Sequence, residues 1–252
     1  MDALTKDQQV NFWDNKAQTF PRYEDKENNY ESGMLDRIKR MGVVFKDADV
    51  LDVGCGSGMY TIRIAKEAKT VTGTDISGEM LRIMSEDAKA HGVNNIATVH
   101  TDWEGFNPER KYDVVFCSMT PAIQSDEARR KVTDCAAKSV AYMGFAGKMD
   151  SEVLNGLYGK FGIVQKDFSD SNRMKEWLDR NRYGYSSETV DGEWVVVRTR
   201  DEMAKNAYDM LSTYGVPLDA QYINEYVEQF KNDRGEYIER TKYRIEVIVW
   251  HV

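Results

Sequence analysis

The sequence predicts an α/β protein centred on a mostly parallel sheet with helices on both faces. Three observations carry that reading. From Val50 to Gly147, short β-rich runs alternate with amphipathic runs, the pattern of strand–helix–strand crossovers. The first strand-to-helix junction holds glycines at alternate positions, Gly54, Gly56 and Gly58. The chain then closes on YRIEVIVWHV, an apolar run that needs a neighbouring strand and most simply joins the same sheet.

Each element follows in chain order. Residues 1–49 read as an N-terminal helical cap, with helices around TKDQQVNFWDNKA and ESGMLDRIKRMG joined by QTFPRYEDKENNY. Residues 50–148 form the core. DVLDVG is its first strand, and GMYTIRIAKEA a helix with Ile62 and Ala65 on one face. TVTGTD is the second strand. The helix after it carries the stripe Met80, Leu81, Met84 and Ala88, with Ser77 as N-cap and Gly92 as the stop. IATVHTD is the third strand, and YDVVFCSM the fourth, continuously apolar as a covered parallel strand should be. SDEARRKVTDCAAKS then places Val132, Cys135 and Ala136 on one helical face, and SVAYMGFAG is the fifth strand.

Residues 149–201 read as an insertion. It holds helices at DSEVLNGLYGKF and NRMKEWLDRN, then a hairpin of YSSETV and EWVVVRT turning on Asp191-Gly192, the dipeptide of a type I′ turn. Residues 202–252 contribute two helices and the closing strand. Met203, Ala207, Leu211 and Tyr214 line the first of those helices. The main sheet is expected to hold seven strands.

Composition narrows the function. The 252 residues carry a formal charge of -8, with 41% hydrophobic and 30% charged residues. No sustained Lys/Arg stripe is present to attract phosphate, which argues against a nucleic-acid partner. No run approaches the roughly 20 apolar residues of a membrane span. The polar start MDALTKDQQVNF lacks the layout of a signal peptide. Cys55, Cys117 and Cys135 fit no disulfide framework and no metal-ligand spacing, so a reduced cytoplasm is the expected compartment and no metal is expected.

The glycine loop asks for a ligand. Glycine stands where a Cβ would clash or φ must be positive, and open α/β sheets bind ligands at their carboxyl edge. Two cofactors compete for it. The dinucleotide pattern G-x-G-x-x-G/A is broken here, because Met59 holds the sixth position and the third glycine falls one place early at Gly58. Asp52, two residues before Gly54, would repel pyrophosphate but suits the ammonium and sulfonium of S-adenosylmethionine. Asp75 ends the second strand, where a carboxylate can hold ribose hydroxyls. Asp102, beside Trp103, ends the third, where it can accept from an adenine amino group.

The stretch VLDVGCGSGMYTIRIAKEAKTVTGTDIS resembles the class I S-adenosylmethionine-dependent methyltransferases. The resemblance covers roughly Val50 to Gly147 and implies a Rossmann-like sheet, mostly parallel with its last strand antiparallel. It implies S-adenosylmethionine as cofactor, with S-adenosylhomocysteine as product. The methionine moiety would fall to Asp52, Gly54, Cys55, Gly56 and Gly58, with Ser118 at the same edge. Ribose would fall to Asp75, with Ile76 and Met80 beside it, and adenine to Asp102 and Trp103.

The end of the fourth strand, CSMTPAI, faces the methyl group in this architecture. Ser118, Met119, Thr120 and Pro121 are therefore acceptor-side candidates, with Thr120 a candidate catalytic residue. Families that methylate amide or base nitrogens often carry Asn/Asp-Pro-Pro-aromatic here, and this chain does not. Phe20, Pro21 and Tyr23 are placed as a lid with Trp13 behind them; Tyr23 is the candidate phenol orienting the acceptor, and Arg22 a candidate for an acidic one. His91, His100 and His251 make no metal site. The expected activity is methyl transfer to a small-molecule acceptor by in-line displacement. The alternatives are a protein or peptide acceptor, a non-catalytic protein that senses the donor or its product and, distantly, an NAD-dependent dehydrogenase. Oligomeric state is left open.

Overall fold

The computed structural model describes residues 5–167 and 169–252. Two helices come first, α1 (Lys6–Ala17) and α2 (Tyr30–Arg40). The alternating region follows: β1 (Asp49–Val53), α3 (Thr61–Ala65), β2 (Thr70–Asp75), α4 (Gly78–Ala90), β3 (Ile96–His100), β4 (Tyr112–Ser118), α5 (Asp126–Cys135) and β5 (Ala136–Phe145). The remainder is β6 (Asp150–Ser151), α6 (Glu152–Phe161), α7 (Asp170–Arg180), β7 (Tyr185–Arg198), α8 (Arg200–Ser212), α9 (Ala220–Tyr226) and β8 (Tyr237–His251).

Caps set several of these boundaries. Thr5 and Gln8 form a reciprocal capping box at the start of α1, satisfying two backbone donors that a helix start leaves open. Ser77 caps α4 by accepting from Met80 N at 3.1 Å, and Gly92 ends that segment at φ +70. Ser125 caps α5 by accepting from Ala128 N at 3.0 Å.

The sheet has eight strands in the order β3-β2-β1-β4-β5-β8-β6, with β7 also paired to β8. The pairs β1–β2, β1–β4, β2–β3 and β4–β5 are parallel. Val252 N donates to Lys138 O and Ala146 N to Arg244 O, so residue numbers run in opposite senses and β8 is antiparallel to β5. The sheet holds eight strands rather than the expected seven: β1–β5 and β8 are joined by both the two-residue β6 and the long β7.

The chain divides into two compact units, residues 1–144, 170–188 and 246–252, and residues 145–169 and 189–245. In the first, one sheet face buries Leu51, Val53, Val115, Cys117, Val140, Ile248 and Trp250 against Val132 of α5 and Met174, Trp177 and Leu178 of α7. Alternation along each strand puts these residues on one side. The second unit has its own core, where α6, α8 and α9 pack Val153, Leu157, Met203, Ala207, Leu211 and Ile223 together. α7 belongs to the first unit.

The hairpin at Asp191-Gly192 is corrected. β7 runs unbroken through both residues for 14 positions. A Cβ on Gly192 would lie 2.2 Å from Tyr243 Oη, so this glycine admits a ring from β8, a role glycine takes inside strands as well as in turns. The helix after the glycine loop is also shorter than its pattern, spanning only Thr61–Ala65.

Candidate functional site

β1 delivers the chain to the carboxyl edge of the sheet, where Gly54, Gly56 and Gly58 take φ of +68, +54 and +84. Side chains adopt such values only under strain. The three glycines answer to different neighbours. A Cβ on Gly54 would stand 2.1 Å from Thr120 Oγ1, and one on Gly58 2.4 Å from Met84 Cγ. On Gly56 the nearest atom would be Phe20 Cε1, 3.9 Å away. Gly58 thus serves packing on α4, Gly54 admits the loop after β4, and Gly56 presents backbone with room above it.

Three carboxylates reach this edge because three adjacent strands end there. Asp52 is 2% exposed and accepts from Thr61 Oγ1 at 2.6 Å. Burial pushes its pKa up to about 7, against the Thr61 bond, and the neighbouring charge of Asp75 adds to the rise. Asp75 accepts from Gly56 N at 2.8 Å and Ser77 N at 2.9 Å, and burial raises it above the usual carboxylate range. Thr101 N donates to Asp75 O at 3.0 Å, which ties the residue before Asp102 to the end of β2. Asp102 accepts from Gly105 N at 2.8 Å and forms an ion pair with Lys6 that holds it below the usual range.

β4 contributes Ser118, whose Oγ is buried without a hydrogen-bond partner. Met119 follows at φ +47, a strained value for a side-chain-bearing residue. Thr120 Oγ1 then accepts from Ala122 N at 3.3 Å. The N-terminal segment covers the opposite side. Trp13 and Phe20 pack with Ala17 on Met80 and Ile83. Asp14 accepts from Ser77 Oγ at 2.6 Å, and Pro21 O from Ser57 Oγ at 2.7 Å.

Asp52, Cys55, Asp75, Ile76, Asp102, Ser118, Met119 and Thr120 therefore gather with the glycines at or beside one edge. Met80 lies beneath the N-terminal cap, 2% exposed. Tyr23 is not brought there. Its ring packs with Ile62, Leu81, Met84 and Ala88, Arg63 and Lys66 stand near it, and its hydroxyl donates to Asp25 at 3.1 Å. Arg22 is held by Asp87 of α4 at 2.5 Å rather than facing an acceptor. Trp103 turns into the core, stacked on Phe106, with its indole N–H donated to Ala128 O at 3.2 Å. Cys117 is fully buried and burial pushes its thiol up, so it is no nucleophile. Sequence reasoning missed Lys6, Asp14 and Thr61. Their partners lie 96, 63 and 9 residues away, and nothing local marks them.

Comparison with known proteins agrees with this geometry. A family model described as a methyltransferase domain matches residues 50–144. A Methanocaldococcus jannaschii protein, provisionally named a protein N5-glutamine methyltransferase, is 30% identical over 146 residues, covering 54% of this chain and 68% of that one. The chain belongs to the class I S-adenosylmethionine-dependent methyltransferases. The ubiquinone biosynthesis O-methyltransferase of Serratia proteamaculans is 41% identical over 83 residues, 32% of this chain and 33% of its own. The chain spans between a third and a half of the length of the first curated relatives it matches. Among solved structures, magnesium protoporphyrin IX methyltransferase from Synechocystis, with bound S-adenosylhomocysteine, aligns at TM-score 0.54 and 18% identity over 74% of this chain and 93% of that one. The methyltransferase fold is shared at that distance.

The residues fit the cofactor of the family. Open backbone at Gly56, an acidic group at each of three strand ends and an unpartnered hydroxyl at Ser118 offer what a nucleoside carrying an amino acid requires. Thr120 is the exception, since its side chain rests on Gly54 where the methionine end would approach. Among the described residues, no three His, Cys, Asp or Glu side chains form a metal-binding group.

Proposed function

We propose that this chain binds S-adenosylmethionine at the Gly54–Gly58 edge and transfers its methyl group to a small-molecule acceptor. The observation that carries the reading is Gly56, bare and unobstructed, with Asp75 bonded directly to its N–H. When bound, S-adenosylmethionine supplies a methyl group on a positively charged sulfur. The residues around it bind and align. Asp75 would hold the ribose hydroxyls and Asp102 the adenine amino group. Asp52 offsets positive charge from beneath the loop, and Ser118 Oγ supplies a polar contact at the methionine end. Thr120, which rests on Gly54, would stand at that end. Alignment of this kind lowers a displacement barrier without a dedicated proton carrier. Three free cysteines suit the cytoplasm we take as its compartment.

A protein acceptor is the second reading, favoured by the name of the M. jannaschii relative. Against it, the segment after β4 reads Ser118-Met119-Thr120-Pro121, without the Asn/Asp-Pro-Pro-aromatic run. The test supplies methyl-labelled S-adenosylmethionine with fractionated small-molecule and protein extracts. Label entering the small-molecule fraction, and lost in Gly56→Val, supports the proposal. Label entering only protein moves the assignment to the second reading, and transfer undiminished in Gly56→Val overturns the site.

A further inference from the structure

Beyond β4, α5 and α7 enclose a groove of about 500 Å³ lined by Arg129, Arg173, Glu176, Asp179 and Arg180. Tyr142 stands near this groove without lining it. On β5 this residue pairs with Cys117, one position before Ser118. A Cβ on Gly144 would lie 2.5 Å from its hydroxyl, so the phenol lies along the strand toward its carboxyl end. The charges of Asp170, Arg129 and Arg173 all bear on that phenol.

Arg129 is the informative residue. It is 5% exposed, donates from Nη1 to Asp126 at 2.9 Å, and keeps a buried Nε with no partner. A buried guanidinium N–H without an acceptor is costly, and natural structures rarely leave one so. Asp126 also accepts from Arg180 at 3.0 Å, so one carboxylate serves two guanidinium groups. Arg173 is balanced by Asp170 at 3.0 Å, and Asp179 stands near Tyr185. Glu176 and Asp179 are exposed. Those two acids repel an extended polyanion, whereas the groove that Arg129 lines has room for a compact anion.

We propose that this groove binds the oxyanion, a carboxylate or phosphate group, of an anionic methyl acceptor. Arg129 and Arg173 would share that group through charge-assisted hydrogen bonds, the geometry in which arginine forks hold planar or tetrahedral oxyanions. The inference rests on the small-molecule reading above and names the chemistry of its acceptor.

The test follows the arginine Nε–Hε resonances of the full chain by NMR at constant ionic strength, titrating inorganic phosphate and, separately, acetate. The expected result is a saturable shift of the Arg129 resonance with at least one of them. In Arg173→Gln, a change at an exposed side chain, the anion affinity should fall roughly tenfold, the loss of one charge-assisted bond. Affinity for S-adenosylhomocysteine should stay within about twofold, since the two sites share no residue. Tighter phosphate points to a phosphorylated acceptor, and tighter acetate to a carboxylic acid. Shifts that never saturate, or an affinity unchanged in Arg173→Gln, overturn the groove. If S-adenosylhomocysteine does not bind while the anion response holds, the methyl-transfer reading fails and the groove stands.

Discussion

Asp52 is where burial and charge meet most sharply. A carboxylate ordinarily titrating near 3.8 is pushed up to about 7 in the fold. Between those values the native state holds a proton that the unfolded chain has released. Unfolding free energy therefore falls as pH rises from about 4 to about 7, by at most about 1.4 kcal/mol per pH unit from this one group. Above that window the loss is complete and the contribution is flat. Denaturation midpoints across the range should decline more steeply in the wild type than in Asp52→Asn, and equal slopes would show that Asp52 titrates normally. Asp75 tests the site rather than the fold. Asp75→Ala should weaken S-adenosylhomocysteine binding by about 1.5–3 kcal/mol, the worth of a charge-assisted hydrogen bond, with calorimetry as the check. Unchanged affinity would remove Asp75 from the ribose role.

At the scale of elements, β7 shows how far sequence reaches. Asp191-Gly192 between β-prone runs reads as a turn, and the same glycine read in place is a gap for Tyr243. Both uses follow from the missing Cβ, and only the partner strand decides between them. Gly192→Ala should destabilise the protein by about 1–3 kcal/mol through overpacking, and Tyr243→Ala, which removes the ring that the new Cβ would meet, should relieve much of that in the double variant. Additive losses in thermal unfolding would mean the two residues do not meet. The alternating core was legible because strand and helix periods differ, and the Ser77 cap and Gly92 stop mark α4 locally. The glycine loop and the acids at 52, 75 and 102 were legible because each sits at a strand end. The placements of Tyr23, Arg22 and Trp103 were not, because Asp87 and the cores that claim them lie far along the chain and leave no periodic trace.

For the whole molecule, the formal charge of -8 sets its overall field against a polyanion. No helix among the described residues is long and apolar enough to cross a membrane. A ligand held only by the folded chain stabilises it by mass action, about 2.7 kcal/mol at one hundred times its dissociation constant. S-adenosylhomocysteine at that excess should raise the unfolding free energy by this amount, and in Gly56→Val by none. The most direct test of the cofactor assignment is calorimetric titration of the purified chain with S-adenosylmethionine, S-adenosylhomocysteine and NAD in parallel. Saturable heat from the two adenosyl ligands and none from NAD is the expected result; heat from NAD alone, or from none of the three, would contradict it.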